Sequence, residues 1–174
     1  MRREEYLLVD GYNIIFSWDD LREIAEYSLE LARDRLINIL ENYQGYKNTE
    51  IIIVFDAHKV SGSAGSVIKR DKLTVIYTGE AETADHYIEH VSRSMAKIFD
   101  VTVATSDNLE QIIIIGSGAK RLSAKDLLLA VKETEKAVQK RLADIKPIKN
   151  NQLIDNLSDD MLQKFEEIRR KGSK

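Results

Sequence analysis

The amino-acid sequence predicts an α/β fold with a mainly parallel β-sheet. Short apolar runs that fit strands buried on both faces alternate along the chain with apolar stripes at helical spacing. Four such runs predict strands at residues 6–9, 50–56, 73–78 and 101–104. A strand, a helix and a second strand at this spacing form a parallel unit, so the carboxyl ends of these strands should share one edge of the sheet.

Apolar stripes predict the helices that cover this sheet. Residues 25–43 carry apolar side chains at alternating spacings of four and three, which predicts one amphipathic helix ending near Gly45. A second stripe covers residues 84–98, and a third follows a capping box that begins at Ser123. Residues 111–115 fit a strand by their β-branched side chains or a short helix by the flanking cap signals, and we favour the helix.

The C-terminal part of the chain predicts a separate helical extension. The only proline, Pro147, should end the long helix that begins after Ser123. A linker and a final helix over residues 158–168 follow, and this helix runs into the basic tail of Arg169, Arg170 and Lys171. We therefore expect a domain of residues 1–146 and an extension of residues 147–174.

The composition is that of a water-soluble protein. Of 174 residues, 43% are hydrophobic and 32% charged, there is no cysteine, and no apolar run reaches the roughly 18 residues of a membrane span. We expect a cytoplasmic protein with no membrane partner. Residues 1–118 hold 12 basic and 20 acidic side chains, whereas residues 119–174 hold 14 and 9. This asymmetry suits an acidic metal site beside a polyanion-binding surface, although solvated helix faces give similar counts.

Acidic residues end or follow three of the predicted strands. Asp10, Asp56 and Asp107 each come after an apolar run, and in a parallel sheet such positions form a crevice at one edge. A turn at Asp10-Gly11 with a solvated carboxylate fits the first of them equally well. Asp107, or its neighbour Ser106, also fits the N-cap of a following helix.

Two further acids, Glu82 and Asp85, come at the start of the helix predicted after the third strand. They are three residues apart and share a face if that helix begins by Glu82. Asp85 lies one turn before Ile88 of the apolar stripe, which directs its carboxylate toward the sheet edge. The alternative is that these acids only favour the helix dipole.

Clustered carboxylates point to a metal site. They repel one another, so the cluster needs a counter-charge. Oxygen ligands of this kind suit Mg²⁺ or Mn²⁺, which activate water and stabilise the charge that develops on a phosphate. The chain has no cysteine and no serine-nucleophile motif, so metal-assisted phosphodiester hydrolysis is the chemistry that the acids favour.

The histidines and a glycine pair are weaker signals. His86 and His90 are four apart, but the sequence offers no clear third zinc ligand and Glu89 favours a surface helix face. His58 is a candidate phosphate contact, and an ordinary loop histidine is the alternative. Residues 116–118 (Gly-Ser-Gly) are typical of a turn, although their amides also suit a phosphate.

Four motifs in order along the chain resemble a known family. They are Leu-Val-Asp-Gly-Tyr-Asn at 8–13, Val-Phe-Asp-Ala-His at 54–58, Glu-Thr-Ala-Asp at 82–85 and Ala-Thr-Ser-Asp at 104–107. Together they resemble the YacP-like NYN domains of the PIN-like ribonuclease superfamily. The resemblance covers roughly residues 6–145 and the basic C-terminal helix. Each motif alone is common, but four in this order are specific.

The resemblance implies a PIN-like three-layer α/β/α sandwich and a divalent-metal endoribonuclease. By motif, the residues that resemble the catalytic metal-binding acids are Asp10, Asp85 and Asp107. Asp56 and Glu82 resemble further metal ligands. Asn13 resembles a residue that orients the first acid. The family also implies Mg²⁺ or Mn²⁺ as cofactor and RNA as partner, most directly mRNA at the ribosome, and no DNA. We expect Asn13, His58 and the basic tail of Arg169, Arg170 and Lys171 to contact the RNA.

Two other classes of function compete with this interpretation. One is a non-catalytic RNA- or ribosome-binding module with the same fold, but a binder of a polyanion gains nothing from five clustered acids. The other is a phospho-acceptor receiver domain. Such a domain normally has paired acids after its first strand and a lysine after its last, and the sequence shows neither pattern.

Overall fold

The fold is an α/β fold with a mostly parallel sheet, as the sequence predicts. The computed structural model describes residues 3–57, 65–79, 81–107, 116 and 118–144. Its strands are β1 (Glu5–Asp10), β2 (Glu50–Phe55), β3 (Val67–Arg70), β4 (Leu73–Tyr77), β5 (Asp100–Ala104) and β6 (Lys120–Leu122). They form one sheet in the order β3-β4-β2-β1-β5-β6, in which every neighbouring pair is parallel except β3 and β4.

The first strand, β1, lies at the centre of this sheet. It pairs with β2 on one side, where Asp10 is opposite Val54, and with β5 on the other, where Val9 is opposite Ala104. Leu8 and Val9 are completely buried and belong to the two different cores of the protein. The end of β1 is therefore held firmly from both sides, which fixes the position of Asp10.

Helices cover both faces of the sheet and make three layers. The helices are α1 (Gly11–Ser17), α2 (Asp19–Tyr27), α3 (Leu29–Lys47), α4 (Ala84–Met95) and α5 (Ala124–Asp144). One core contains residues from α1, α2, α3 and the first turns of α5, and the other contains residues from α4. Trp18, between α1 and α2, donates from Nε1 to the carbonyl of Ala124 at 2.8 Å and so ties these helices to α5.

The single helix predicted over residues 25–43 is wrong, because the chain forms two helices there. Ser28 breaks the run with an extended backbone (φ −157°, ψ 113°), and its hydroxyl accepts a hydrogen bond from the N–H of Leu31 at 3.2 Å. Its own N–H donates to the carbonyl of Ile24, so α2 ends where α3 begins. The apolar spacing continues across the break because both helices pack on the same core, which hides the boundary in the sequence.

Element ends also differ from the predictions. The second and third predicted strands each end one residue earlier, at Phe55 and Tyr77, while β5 begins at Asp100. Strands β3 and β6 were not predicted from the sequence. Strand β3 is exposed along its whole length and β6 is only three residues long, so neither shows the apolar pattern of a buried strand. Helix α3 ends at Lys47 rather than near Gly45, with the left-handed Asn48 as its C-cap.

The chain divides into two compact units, Met1–Val138 and Gln139–Lys174. In the second unit, the described residues are 139–144, which complete α5. The domain boundary expected at residue 146, the linker, the final helix and the basic tail lie outside the described residues and stay predictions, as does the helix at 111–115. Of the helices that the structure describes, none has the length and apolar character needed to cross a membrane.

Candidate active site

Asp10 joins the central strand to the first helix. It is the last residue of β1 and the N-cap of α1, and its carboxylate accepts a hydrogen bond from the N–H of Asn13 at 3.1 Å. Its side chain is buried, with 6% exposed. The turn that the Asp10-Gly11 pair suggested is therefore replaced by a direct strand-to-helix junction. Helix α1 begins without a loop, so its first turn lies at the carboxyl edge of the sheet.

Gly11 allows this junction because it packs directly on Phe55. A Cβ atom at Gly11 would lie 2.2 Å from the Phe55 ring, closer than any real contact. Phe55 is itself completely buried at the end of β2. The glycine is needed for close approach between α1 and β2, and this packing sets where Asp10 lies.

Ser106 holds the side chain of Asn13. The N–H of Ser106 donates to Asn13 Oδ1 at 2.7 Å, and the Ser106 hydroxyl donates to the same oxygen. Since a backbone N–H can only donate, the facing atom is Oδ1 and the orientation of the amide is defined. Ser17 completes the cluster, because its hydroxyl donates to the Asn13 carbonyl at 2.7 Å and lies 2.8 Å from the Ser106 hydroxyl.

A cavity of about 280 Å³ lies beside this cluster and brings together three of the predicted acids. Asp10 comes from the end of β1, Asp56 directly follows β2, and Asp85 lies in the first turn of α4. The cavity is lined by Asp10, Tyr12, Asn13, Phe16, Asp56, Thr83, Ala84 and Asp85. The carboxyl edge of the sheet thus carries the acidic crevice that parallel strands predict.

The residues before α4 are arranged differently from the prediction. Helix α4 begins at Ala84, and Thr83 is its N-cap, with Oγ1 accepting from the N–H of His86 at 3.3 Å. Glu82 therefore precedes the helix and does not share a helical face with Asp85. Asp85 lies in the first turn of α4, where a negative charge also favours the helix dipole, so the dipole alternative for Asp85 stays open. Burial raises the pKa of Tyr87 above its usual 10.0, and the charge of nearby Glu82 raises it further.

Asp107 lies on the loop after β5, at the same edge. It is exposed, and its N–H donates to Oγ1 of the fully buried Thr105 at 3.1 Å. Neither Asp107 nor Glu82 belongs to the described lining of the acidic cavity. The residues from 108 to 115 lie outside the described part of the chain, so the N-cap alternative for Ser106 or Asp107 stays open.

The donor set fits a hard divalent cation that keeps part of its water shell. Asp10, Asp56 and Asp85 offer only oxygen atoms to the cavity, the ligand type that Mg²⁺ and Mn²⁺ prefer. Within the described ranges, however, no three His, Cys, Asp or Glu side chains are close enough to hold one ion together. Mg²⁺ is commonly held through one or two carboxylates together with waters and substrate phosphates, so a partly open arrangement is compatible with it.

An aromatic group forms one wall of the cavity. Tyr12 is buried (5% exposed), its ring packs edge-on against Phe55 at 5.2 Å between centroids, and its hydroxyl accepts from Nη1 of Arg33 at 3.0 Å. Burial has the largest influence on the Tyr12 hydroxyl, and the pKa of Tyr12 is raised above its usual 10.0 as a result. The hydrogen bond and the positive charge of Arg33 act in the opposite direction, whereas electrostatic interactions with Tyr77 and Asp56 raise the pKa further. Asp56 and Tyr12 line the same cavity.

The histidine pair of α4 does not belong to the described lining of this cavity. His86 and His90 are exposed on α4, outside the described lining. His58 and the tail residues Arg169, Arg170 and Lys171 lie outside the described part of the chain. Gly118 has the left-handed backbone (φ 87°) typical of a turn.

A larger cavity, of about 320 Å³, lies at the opposite, amino-terminal ends of the strands. Its acids, Glu5 and Asp100, are accompanied by Lys47 and Lys120, and Lys120 pairs with Asp100 at 2.7 Å. Its charges are therefore balanced, unlike those of the acidic cavity. We take the smaller, acidic cavity as the candidate active site because its carboxylates come from three separate elements.

Comparison with known proteins decides the family. Residues 7–170 match the YacP-like NYN domain. The chain belongs to this family. YacP-like NYN domains are part of the PIN-like nuclease superfamily, so the resemblance drawn from the four motifs is confirmed and the fold is of a nuclease type.

Relatives in Bacillus subtilis support the assignment over nearly the whole chain. The chain is 41% identical to the uncharacterized protein YacP of strain 168 over 167 residues, which is 95% of this chain and 97% of the relative. It also matches the crystal structure of Rae1 (YacP), with a TM-score of 0.72, 41% identity, and coverage of 95% of this chain and 94% of the other. A tryptophan-to-leucine mutant of the same protein matches with a TM-score of 0.72 and 39% identity, over 84% and 86% of the two chains.

Sequence reasoning missed the residues that support the acids. Ser17, Arg33 and the aromatic face of α1 were not singled out, and Ser106 was considered only as a helix cap. A signal for the aromatic face was present, since Tyr12 and Phe16 are four residues apart. This spacing was not recognised as a helical signal, because the short helix α1, which directly follows a strand, was not predicted.

Proposed function

We propose that this protein is a divalent-metal-dependent endoribonuclease that hydrolyses phosphodiester bonds of RNA. The observation that carries the proposal is the placement of Asp10, Asp56 and Asp85 around one cavity at the carboxyl edge of the sheet. Membership of a nuclease superfamily supports the same conclusion.

The proposed roles are supported by the shared cavity and by the resemblance to the family. We propose Asp10, Asp56 and Asp85 as ligands of the cation, together with waters and the substrate phosphate, and Glu82 and Asp107 as further acids at the same edge. Asp10, Asp85 and Asp107 are the proposed catalytic residues. When bound, Mg²⁺ or Mn²⁺ supplies an activated water and stabilises the charge of the phosphate.

Asn13 is the proposed link between the acids and the RNA. Its N–H fixes the carboxylate of Asp10, and its side-chain oxygen is taken by Ser106, which leaves the Nδ2 hydrogens as donors for a phosphate or sugar oxygen. The rigid attachment of Asn13 to Ser106 keeps these donors in one place during the reaction.

The proposed substrate is mRNA, cleaved in association with the ribosome. The support for this part is the resemblance to the YacP-like family together with the basic excess of residues 119–174. His58 and the tail residues Arg169, Arg170 and Lys171 are proposed to contact the RNA, because cations that bind phosphates supply the affinity for a polyanion.

The decisive experiment is the substitution Asp10→Asn. Asparagine keeps the volume and still caps a helix, so the fold and melting temperature should be retained. Removing the charge should lower single-turnover cleavage of RNA roughly a hundredfold or more in the presence of Mg²⁺ or Mn²⁺. RNA affinity should be unchanged or slightly higher, because the substitution removes one negative charge that faces the phosphate.

A matched control is Asp34→Asn, which makes the same chemical change at an exposed position of α3 outside the acidic cavity. It should leave cleavage unchanged. Both assays are run with free RNA and with ribosome-bound mRNA. Cleavage by Asp10→Asn at the parental rate would contradict the metal-nuclease mechanism, and RNA binding without cleavage by the parental protein would favour the non-catalytic binding module.

A further inference from the structure

A positively charged side chain contacts the wall of the acidic cavity. Arg33, in the second turn of α3, donates a hydrogen bond from Nη1 to the hydroxyl of Tyr12 at 3.0 Å, and Tyr12 lines the cavity together with Asp10 and Asp56. Helix α3 leads to the start of β2, so its first turns lie toward the opposite, carboxyl edge of the sheet. A guanidinium therefore lies one side chain away from the acidic cavity.

Arg33 has no carboxylate partner among the described residues. It is half-buried, it belongs to none of the ion pairs that the structure describes, and its described hydrogen bond goes to a neutral hydroxyl. A charge that is partly removed from water is normally balanced by a charge of opposite sign. The guanidinium also has more N–H donors than this one bond uses. Support of Tyr12 explains the hydrogen bond, but it leaves the charge of Arg33 unbalanced.

The hydrogen bond to Tyr12 gives the guanidinium a fixed position. The ring of Tyr12 is buried and packs edge-on against Phe55 at 5.2 Å between centroids, and Phe55 is itself completely buried at the end of β2. Because the core holds Tyr12, its hydroxyl is a stable acceptor. A cation that is already in position loses little conformational freedom when an anion binds. Arg33 is therefore better suited to bind an anion than a cation on a freely moving surface side chain.

We propose that Arg33 binds an RNA phosphate adjacent to the one that is cleaved; this inference rests on the proposed function. The described lining of the acidic cavity contains no cation, so in the proposed mechanism the metal ion balances the charge of the cleaved phosphate. The next phosphate along the strand lies outside the ligand shell of that ion and needs a positive charge of its own. Arginine suits this role because its planar N–H groups bind two phosphate oxygens at once. Arg33 thus defines a second phosphate subsite beside Tyr12.

The first experiment separates phosphate binding from support of Tyr12. RNA affinity is measured over a series of salt concentrations in the Asp10→Asn background, which prevents cleavage during the measurement. Arg33→Met keeps an unbranched aliphatic side chain and removes the charge. It should lower affinity about tenfold and make the slope of log K against log salt concentration shallower by about 0.7, the value for one phosphate of a single strand.

Two further variants show which property of Arg33 matters. Arg33→Lys keeps the charge but lacks the planar arrangement of donors, so it should retain the slope of the background protein and lose less affinity than Arg33→Met. Tyr12→Phe removes the hydroxyl and leaves the charge of Arg33 in place. It should lower affinity less than Arg33→Met and leave the slope unchanged. Melting temperatures of all variants are measured on the same samples.

Arg35→Met is the matched control. Arg35 lies two residues further along α3, is exposed, and lines a different cavity between α2, α3 and α5. The substitution removes the same charge from the same helix. Affinity and slope should stay close to those of the background protein.

A second experiment identifies the phosphate that Arg33 binds. Single-stranded RNA oligonucleotides are prepared, each with one uncharged methylphosphonate linkage at a different position. At one position the uncharged linkage should lower affinity about tenfold, and Arg33→Met should cost nothing further there, because the charged partner is already missing. At every other position the loss from Arg33→Met should be fully retained. The linkage that the parental protein cleaves in the same sequence should be the neighbouring one.

The outcomes separate this inference from the proposed function. Unchanged affinity after Arg33→Met, equal effects of Arg33→Met and Tyr12→Phe, or additive losses at every linkage would overturn the phosphate subsite and leave the nuclease intact. A non-additive linkage together with no cleavage by the parental protein would retain the subsite and contradict the proposed function. Absence of binding by the parental protein to free RNA and to ribosome-bound mRNA would overturn both.

Discussion

Ser106 donates two hydrogen bonds to the side-chain oxygen of Asn13, one from its N–H at 2.7 Å and one from its hydroxyl. These residues are 93 positions apart in sequence and connect the loop after β5 to α1. The N–H of Asn13 in turn holds Asp10. The strand ends that carry Asp10 and Asp107 are thereby joined through side chains at the edge of the candidate active site.

Ser106→Ala should reduce cleavage more than stability. The substitution removes the hydroxyl but keeps the backbone hydrogen bond, so the free energy of unfolding should fall by only about 1 kcal/mol. The looser amide of Asn13 should lower the single-turnover rate by several-fold to about tenfold. Cleavage rate and melting temperature are measured on the same samples.

Ser94→Ala is the matched control, because the hydroxyl of Ser94 donates to the carbonyl of His90 on the exposed side of α4. It should change neither quantity. A fall in stability after Ser106→Ala with an unchanged rate would mean that Ser106 only holds the loop.

Mn²⁺ should stabilise the folded protein through the acidic cavity. A ligand that binds only the folded state adds about 2.7 kcal/mol at a free concentration one hundred times its Kd, which raises the Tm of a chain this long by roughly 5–10 °C. Asp85→Asn should abolish most of this increase. Without metal it should be neutral or stabilising, because it relieves repulsion with Asp10 and Asp56.

Glu89→Gln provides the control for this measurement. Glu89 lies one turn further along α4, where it pairs with Arg93 at 2.9 Å outside the acidic cavity. Its substitution should leave the Mn²⁺-dependent increase in Tm intact. An undiminished increase in Asp85→Asn would remove Asp85 from the metal site.

The basic tail should contribute to RNA affinity by binding phosphates. Replacing Arg169, Arg170 and Lys171 by glutamine should weaken RNA binding and make log K less dependent on log salt concentration. The slope should become shallower by up to about 0.7 for each phosphate that is no longer neutralised, the value for single strands. Affinity is measured for one RNA over a series of salt concentrations.

An equal change in net charge elsewhere serves as the control. Lys69, Arg70 and Lys97 are exposed in the first compact unit, and replacing them by glutamine removes three positive charges as well. For this control variant, the slope of log K against log salt concentration should stay close to that of the parental protein. Equal slopes for the tail variant and the parental protein would mean that the tail binds no phosphate.

The central strands were predictable because each is buried on both faces and shows an uninterrupted apolar run. The common edge of Asp10 and Asp56 follows from the rule that a helix crossover joins parallel strands. The strand order, with β5 beside β1, was not predicted. The break at Ser28 was not predictable from spacing, since both helices bury the same stripe. The hydrogen bonds of Ser106 to Asn13 were not predictable either. They join segments that are far apart in sequence, and patterns of neighbouring residues carry no information about such contacts.

The Asp10-Gly11 pair shows why local chemistry left two alternatives. An aspartate followed by glycine is typical of a turn, but here the glycine serves a tertiary contact. Gly11 is needed because Phe55 occupies the space where a Cβ atom would lie. The sequence contains both residues, and only the packing of α1 on β2 shows that they are neighbours.

This contact gives a sharp prediction for Gly11→Ala. The new Cβ would lie 2.2 Å from the ring of Phe55, and that ring cannot move freely because it stacks on Tyr77 at 5.6 Å and is completely buried. Overpacking of this kind costs about 1–3 kcal/mol. The Tm should therefore fall by several degrees, roughly 2–4 °C for each kcal/mol. Cleavage should fall too, because α1 must shift and carries Asn13 with it.

Gly45→Ala is the matched control and should have the opposite effect. Gly45 lies within α3, and nothing lies within 4 Å of the position of its Cβ. Alanine is the better helix former there, so the free energy of unfolding should rise by about 0.5–1 kcal/mol. Adding Phe55→Leu to Gly11→Ala should restore part of the decrease in Tm, since it vacates the space that the new methyl needs. Equal melting temperatures for Gly11→Ala and the parental protein would show that the junction between β1 and α1 does not depend on this close approach.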